Sequence, residues 1–358
     1  MERFSRRGFL ATAGLALLAG CNSVVSSDNG SENNGSAMIP TADERLPLPR
    51  DPQQLRQAAR SGGPSKDGIP SIDEPTFIRG DGVDFLEPDD PVFGVVRDGQ
   101  ATAYPQKILV QHEIVNDTLA GTPVSVTYCP LTGTVQGFLR GETTLGVSGR
   151  LINANLVMYD RSTETWWPQI LATSIPGEWN ENPDIRSLQE FRLIWTTWEQ
   201  WRNQHPDTRV LSTDTGHARN YNRDPYGAYN PARGYYVDDD LLFPALSRDD
   251  RYRPKTVVMG ARTPDGAVAF LKDALRDKQL MTGRIDETPV LAVYDSRYDT
   301  GYVYRNPDDL AFEKDGDQVA APDGTAHQQD DLPLSRIHTF DAMWFAWAGY
   351  YPETSVYE

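Results

Sequence analysis

Short apolar runs of five to eight residues, broken by Asp-Gly, Gly and Pro, recur along most of this chain. That rhythm predicts strands rather than long helices. A strand at 92–96 turns at Asp98-Gly99 into a second at 101–104, and another at 256–260 turns at Asp265-Gly266 into 267–270. A short helix is expected after each hairpin, near 107–116 and near 269–278. Paired strands then follow, at 124–129 with 135–140 and at 290–295 with 302–305. Further strands are predicted at 145–151 and 156–159. Two Trp-rich segments, Trp198-Glu199-Gln200-Trp201 and Trp344-Phe345-Ala346-Trp347, read as helices, because each tryptophan pair falls on one helical face and a proline soon stops the run. The predicted class is α+β and strand-dominated.

These elements recur in the same order. The two Trp-rich segments and the His205-Pro206 and Tyr351-Pro352 steps behind them lie 146 residues apart. Pro123-Val124-Ser125-Val126-Thr127-Tyr128 likewise parallels Pro289-Val290-Leu291-Ala292-Val293-Tyr294. The expectation is an internal duplication, with two tandem pseudo-repeats packed together. The first unit spans 51–215, a polar-aromatic connection spans 216–250, and the second unit spans 251–358.

The first fifty residues have a different character. Ser5-Arg6-Arg7-Gly8-Phe9-Leu10 reads as a twin-arginine signal, and its apolar run is too short to span a bilayer. Leu18-Ala19-Gly20-Cys21 closes it as a lipoprotein cleavage site, which makes Cys21 the lipid-attachment residue. Segment 1–21 is thus a signal and 22–50 a flexible tether. The expected location is the outer face of the cytoplasmic membrane, reached in the folded state and held by lipid.

Charge sharpens this address. The chain carries a formal charge of −17, with 35 Asp, 16 Glu, 28 Arg and only 6 Lys. Such an acid excess repels itself at low ionic strength and is screened at high salt, which points to a halophilic source. It also argues against nucleic acid as a partner, since that needs a basic footprint.

Candidate chemistry gathers in the first unit. Cys129 is the one cysteine beyond Cys21, and it stands opposite Asp295 when the units are aligned. His112 lies nearby in His112-Glu113-Ile114-Val115-Asn116-Asp117. Three readings follow. Cys129, His112 and Met158 are the soft donors that copper favours. Cys129 with His112 as base and Asn116, one helical turn on, or Asp117 orienting the ring would make a cysteine-dependent enzyme. Arg219, Tyr221, Arg223, Asp224 and Tyr226 form a polar-aromatic cluster suited to binding a small molecule or a protein partner.

Taken together, Asp67-Gly68-Ile69-Pro70-Ser71-Ile72-Asp73, the His112–Asp117 run, Tyr128-Cys129-Pro130-Leu131, Met158-Tyr159-Asp160-Arg161 and Arg219-Asn220-Tyr221-Asn222-Arg223-Asp224-Pro225-Tyr226 resemble the family called domain of unknown function 3179. The resemblance implies an exported, often lipid-anchored protein without an assigned activity. Many members look like Cys-Pro-Leu-Cys-Gly at this turn. Here Thr132 replaces the second cysteine, so a dithiol cycle is unavailable and a two-thiolate metal site is not expected.

Overall fold

Val92, Phe93, Val95, Ala103 and Tyr104 lie on the first hairpin, and all five are buried. In the computed structural model, which describes residues 38–358, this hairpin (Pro91–Arg97 with Gln100–Pro105) is the centre of a five-stranded sheet. Ile194–Thr197 pairs antiparallel on one side, and Arg209–Leu211 pairs parallel on the other. Phe77–Arg79 forms the edge beyond Arg209–Leu211, and the helix Trp198–Gln204 connects the two flanking strands in the chain. Thr197 opens it with a capping box to Gln200, and Trp198 and Trp201 turn inward.

The helix Gln106–His112 then leads to a second sheet of Ile114–Leu119, Thr122–Cys129, Thr134–Leu139 and Glu190–Phe191. A third sheet centres on Leu145–Ile152 and Asn155–Asp160. In the C-terminal part, Val257–Thr263 and Gly266–Leu271 pair with Thr339–Met343 and, in parallel, with Ser355–Tyr357. The helix Lys272–Lys278 leads to a sheet of Leu280–Ile285, Thr288–Asp295, Thr300–Arg305 and Arg336–Ile337. The helix Trp344–Tyr350 buries every one of its residues. Strands therefore dominate, as the apolar rhythm predicts.

Backbone conformation corrects the helix boundaries. The helix expected over 107–116 ends at His112, because Glu113 takes φ 60° and Ile114 onward pairs with the Cys129 strand. The one expected over 269–278 begins only at Lys272, since residues up to Leu271 stay in the hairpin, and it ends before Gln279 at φ 68°. The 216–250 connection contains a small hairpin, Gly227–Tyr229 with Ala232–Gly234. Part of the expected tether is not free. Ile39 and Leu46 are buried, and Ala42 and Leu46 donate backbone hydrogen bonds to Ser187. The twin-arginine motif and Cys21 lie outside the described residues. No helix among the described residues is long and apolar enough to cross a membrane.

One apolar core runs through both parts of the chain, bringing Cys129, Met158, Trp166 and Trp167 together with Trp344, Trp347 and Tyr350. Backbone carbonyls stitch this seam. Asn153 Nδ2 donates to Ala346 O at 2.7 Å, Tyr350 Oη to Ile152 O at 2.6 Å, and Met343 N to Thr132 O at 2.9 Å.

Candidate functional site

His112 closes its helix, with its side chain facing the 67–73 segment and the 216–250 connection. Nδ1 lies 2.7 Å from Pro70 O, which can only accept, so Nδ1 carries the proton. Nε2 therefore accepts from Tyr221 Oη, 2.7 Å away, and Tyr221 accepts in turn from Thr215 Oγ1 at 2.5 Å. Burial drives the imidazole pKa down to about 4, helped by the neighbouring His217 and Arg219. The ring is thus neutral, fixed in one tautomer and filled at both nitrogens. It is not a free base.

Cys129 ends its strand inside the core at 1% exposure. Burial, followed by the charge of Glu113, pushes its thiol up to about 11, and Sγ points to Ala154 O at 3.8 Å. A nucleophile needs the thiolate, and this environment disfavours it. Thr132, where a second cysteine would stand, accepts from Asn155 Nδ2 at 3.1 Å and holds the turn.

Asn116 is not on the His112 helix. It sits in the following strand, with both ends of its amide engaged: Nδ2 donates to Asp73 and Leu145 O, while Oδ1 accepts from Ser125 Oγ and Leu145 N. It orients the 145–152 strand rather than the imidazole. Met158 pairs with Val147 and Trp167 across its sheet and is fully buried in the core. Among the described residues no three His, Cys, Asp or Glu side chains stand together as metal ligands do.

The separated motifs do converge, through hydrogen bonds. Arg161 donates to Asp67, Ser71, Asp73 and Thr144 at 2.9–3.2 Å. Tyr159 Oη adds a bond to Asp67 at 2.5 Å. The 67–73 segment is clamped in this way to the 158–161 motif, to Asn116 and to His112.

The 216–250 connection is anchored by the same logic. Asp224 accepts from Gln106 Nε2 at 3.0 Å, Tyr236 Oη at 2.8 Å and Tyr226 N at 2.8 Å. Gln111 Nε2 holds Arg223 O at 2.7 Å. Tyr229 stacks on Tyr236 with centroids 4.0 Å apart and meets the edge of Trp195. Between this connection and the start of the His112 helix lies a cavity of about 280 Å³, lined by Gln106, Lys107, Tyr221, Arg223, Asp224, Tyr229 and Arg233.

Three of the five residues expected to bind, Tyr221, Arg223 and Asp224, meet at this cavity. Tyr226 instead packs into the core beside them, and Arg219 is exposed outside the lining. Gln106, Lys107 and Arg233 join the site unannounced by the sequence, because they approach only when the connection folds back over the helix. Glu113 joins it too, its carboxyl pushed up to about 8 by burial. A charged residue at a helix end inside an apolar motif was the available signal.

The family model described as protein of unknown function (DUF3179) matches residues 66–354, and the chain belongs to that family. Neither a curated protein nor a solved structure matches the chain.

Proposed function

We propose that this member of the DUF3179 family is an exported, lipid-anchored, non-catalytic binding module, and that its ligand is a small organic anion held in the cavity beside the His112 helix. The carrying observation is a local inversion of charge. In a chain of formal charge −17, this cavity presents the exposed guanidiniums of Arg223 and Arg233. Neither has a carboxylate within ion-pair distance among the described residues. The two acids at the cavity are already engaged: Asp90 faces Lys107 at 2.6 Å, and Asp224 takes three hydrogen bonds. Tyr221 and Tyr229 add aromatic rings to the lining. Guanidinium donors beside such rings suit a carboxylated sugar or small polycarboxylate.

The cysteine-enzyme and copper readings draw less support, because the thiol is buried and protonated and His112 has no nitrogen to spare. Duplication is part of the proposal. Trp201 Nε1 donates to Thr208 Oγ1 at 3.0 Å and Trp347 Nε1 to Thr354 Oγ1 at 3.1 Å, an indole-to-threonine bond in the same place on both Trp helices. The anchor rests on the Leu18-Ala19-Gly20-Cys21 pattern, and Cys21→Ser is expected to release the protein from membranes.

Calorimetric titration with glucuronate and citrate, with glucose as the uncharged control, tests the binding reading. Anion binding that falls at least tenfold in the double variant Arg223→Ala, Arg233→Ala is the expected result. Binding indifferent to these substitutions, or no binding of either anion, would overturn it.

A further inference from the structure

The stretch from Ser71 to Arg79 closes two sheet edges in succession. Ile72 lies parallel to the edge strand Ile114–Leu119, donating from its N to Ile114 O at 2.9 Å and accepting from Asn116 N at 2.8 Å. Phe77–Arg79 then pairs antiparallel with Arg209–Leu211, and Gly80 N extends the cover to Thr208 O at 2.8 Å.

The C-terminal part has corresponding edges without that stretch. Leu280–Ile285 ends its sheet and pairs in the register of Ile114–Leu119: Leu280 faces Val293 as Ile114 faces Thr127, each 166 residues on. The inward bond is matched too, with Tyr294 N donating to Gln279 O at 2.8 Å as Tyr128 N does to Glu113 O at 2.7 Å. By this register Leu280 O and Thr282 N point away from the sheet, in the places where Ile114 O and Asn116 N hold Ile72. Neither has a hydrogen-bond partner among the described residues.

Other groups cover what lies around this gap. Tyr357 Oη meets Arg284 N at 3.0 Å, and Arg251 Nη1 gives Thr354 O, at 3.3 Å, the bond that Gly80 N gives Thr208 O. The stretch 166 residues after Ser71–Arg79 is committed elsewhere. Lys255 Nζ holds Asp238 Oδ1 at 2.6 Å, and Phe243 and Ala245 pack on the core that joins the two parts. The missing cover also shows in burial. Val115, the bridge partner of Ile72, is 0% exposed, whereas Met281 in its place is 7% exposed and Thr282 beside it is open to solvent. An uncovered strand edge is a template for a further strand.

We infer that Leu280–Thr282 is a docking edge for an extended segment of a partner protein, seated parallel to it as Ser71-Ile72-Asp73 is seated along Ile114–Asn116. A β-branched apolar residue takes the place of Ile72. Its N–H bonds to Leu280 O, its carbonyl accepts from Thr282 N, and its side chain covers Met281. Main-chain bonds supply the affinity, and the apolar contact supplies the selection.

The probe is the end-capped peptide Gly-Ile-Pro-Ser-Ile-Asp-Glu-Pro, the sequence of residues 68–75, with binding to the purified chain read by ligand-observed NMR. The expected result is binding that weakens at least about fivefold, the worth of one hydrogen bond, when the second isoleucine is N-methylated. Thr282→Pro should weaken it equally. Proline is tolerated at an edge position whose N–H faces outward, so this variant should keep the native Tm and circular dichroism. The N-methyl peptide tests the same pairing on the unaltered chain. No binding at about 5 mM peptide, weaker than any useful affinity, overturns the inference. So does binding indifferent to the N-methyl group, or to Thr282→Pro in the folded chain. A concentration-dependent dimer that Thr282→Pro dissolves would give the edge to a second copy of the chain and overturn it as well. The arginine substitutions that test the cavity beside the His112 helix leave this edge untouched, so either proposal can fail alone.

Discussion

The indole of Trp201 lies directly on the bare backbone of Gly94: a Cβ built there would fall 2.2 Å from Trp201 Cζ3. Gly260 stands in the same relation to Trp347, also at 2.2 Å. Gly94→Ala and Gly260→Ala should each cost about 3 kcal/mol through overpacking, seen as a lower denaturation midpoint. A loss at one site only would argue against the two helices sharing a packing mode.

Glu113 and His112 should give stability opposite pH dependences. The raised carboxyl pKa, from 4.5 to about 8, means that folding binds an extra proton in that window. Its stabilisation is complete below 4.5 and lost as pH rises through 8. Glu113→Gln, the residue found at Gln279, should therefore raise Tm at pH 8 and change little at pH 4.

His112 runs the other way. Its pKa falls from 6.5 to about 4, so the unfolded chain binds the extra proton and stability is lost as pH drops from 6.5 toward 4. His338, half-buried near Glu190, Arg262 and Arg192, shifts in the same direction. His112→Gln should flatten the acid limb of a Tm-versus-pH curve without abolishing it. An unchanged limb would mean that His112 titrates normally.

Cys129 should resist iodoacetamide at pH 8 in the folded chain and react fully in guanidinium chloride. Rapid labelling of the native protein would restore the case for a reactive thiol. Arg161→Ala should destabilise by about 2 kcal/mol, because it removes the charged hydrogen bonds that tie Asp67, Ser71, Asp73 and Thr144 together. Urea melts check this directly.

Salt should matter throughout. With 51 acidic against 34 basic residues, the chain should melt at least 10 °C higher in 3 M than in 0.1 M KCl, the order expected of a few kcal/mol. Equal melting temperatures would remove the argument for a saline origin.

Much of the strand order was legible because it is local. Val92, Phe93 and Val95 announce a strand wherever they are read, and Pro206 and Pro352 stop a helix by their own ring. The end of the His112 helix was not legible, since Glu113 takes its left-handed conformation only where the next residues find the Cys129 strand. That slip carried Asn116 onto a helix it does not occupy. Tyr221, Arg223 and Asp224 were found from their clustering. Arg233 and Gln106 were not, because a loop folding over a helix 118 residues away leaves no periodic trace.

The carbonyl stitches at the seam have a practical meaning. Met343 N reaches back to Thr132 O, and Asn153 and Tyr350 tie the last helix to the 145–155 hairpin. Cut between 216 and 250, neither piece would keep a finished surface, because each would bare aromatic rings and unpaired backbone groups that the other now covers. The two sides of the seam are therefore not exchangeable parts. The chain should survive proteolysis or recombination only as a whole.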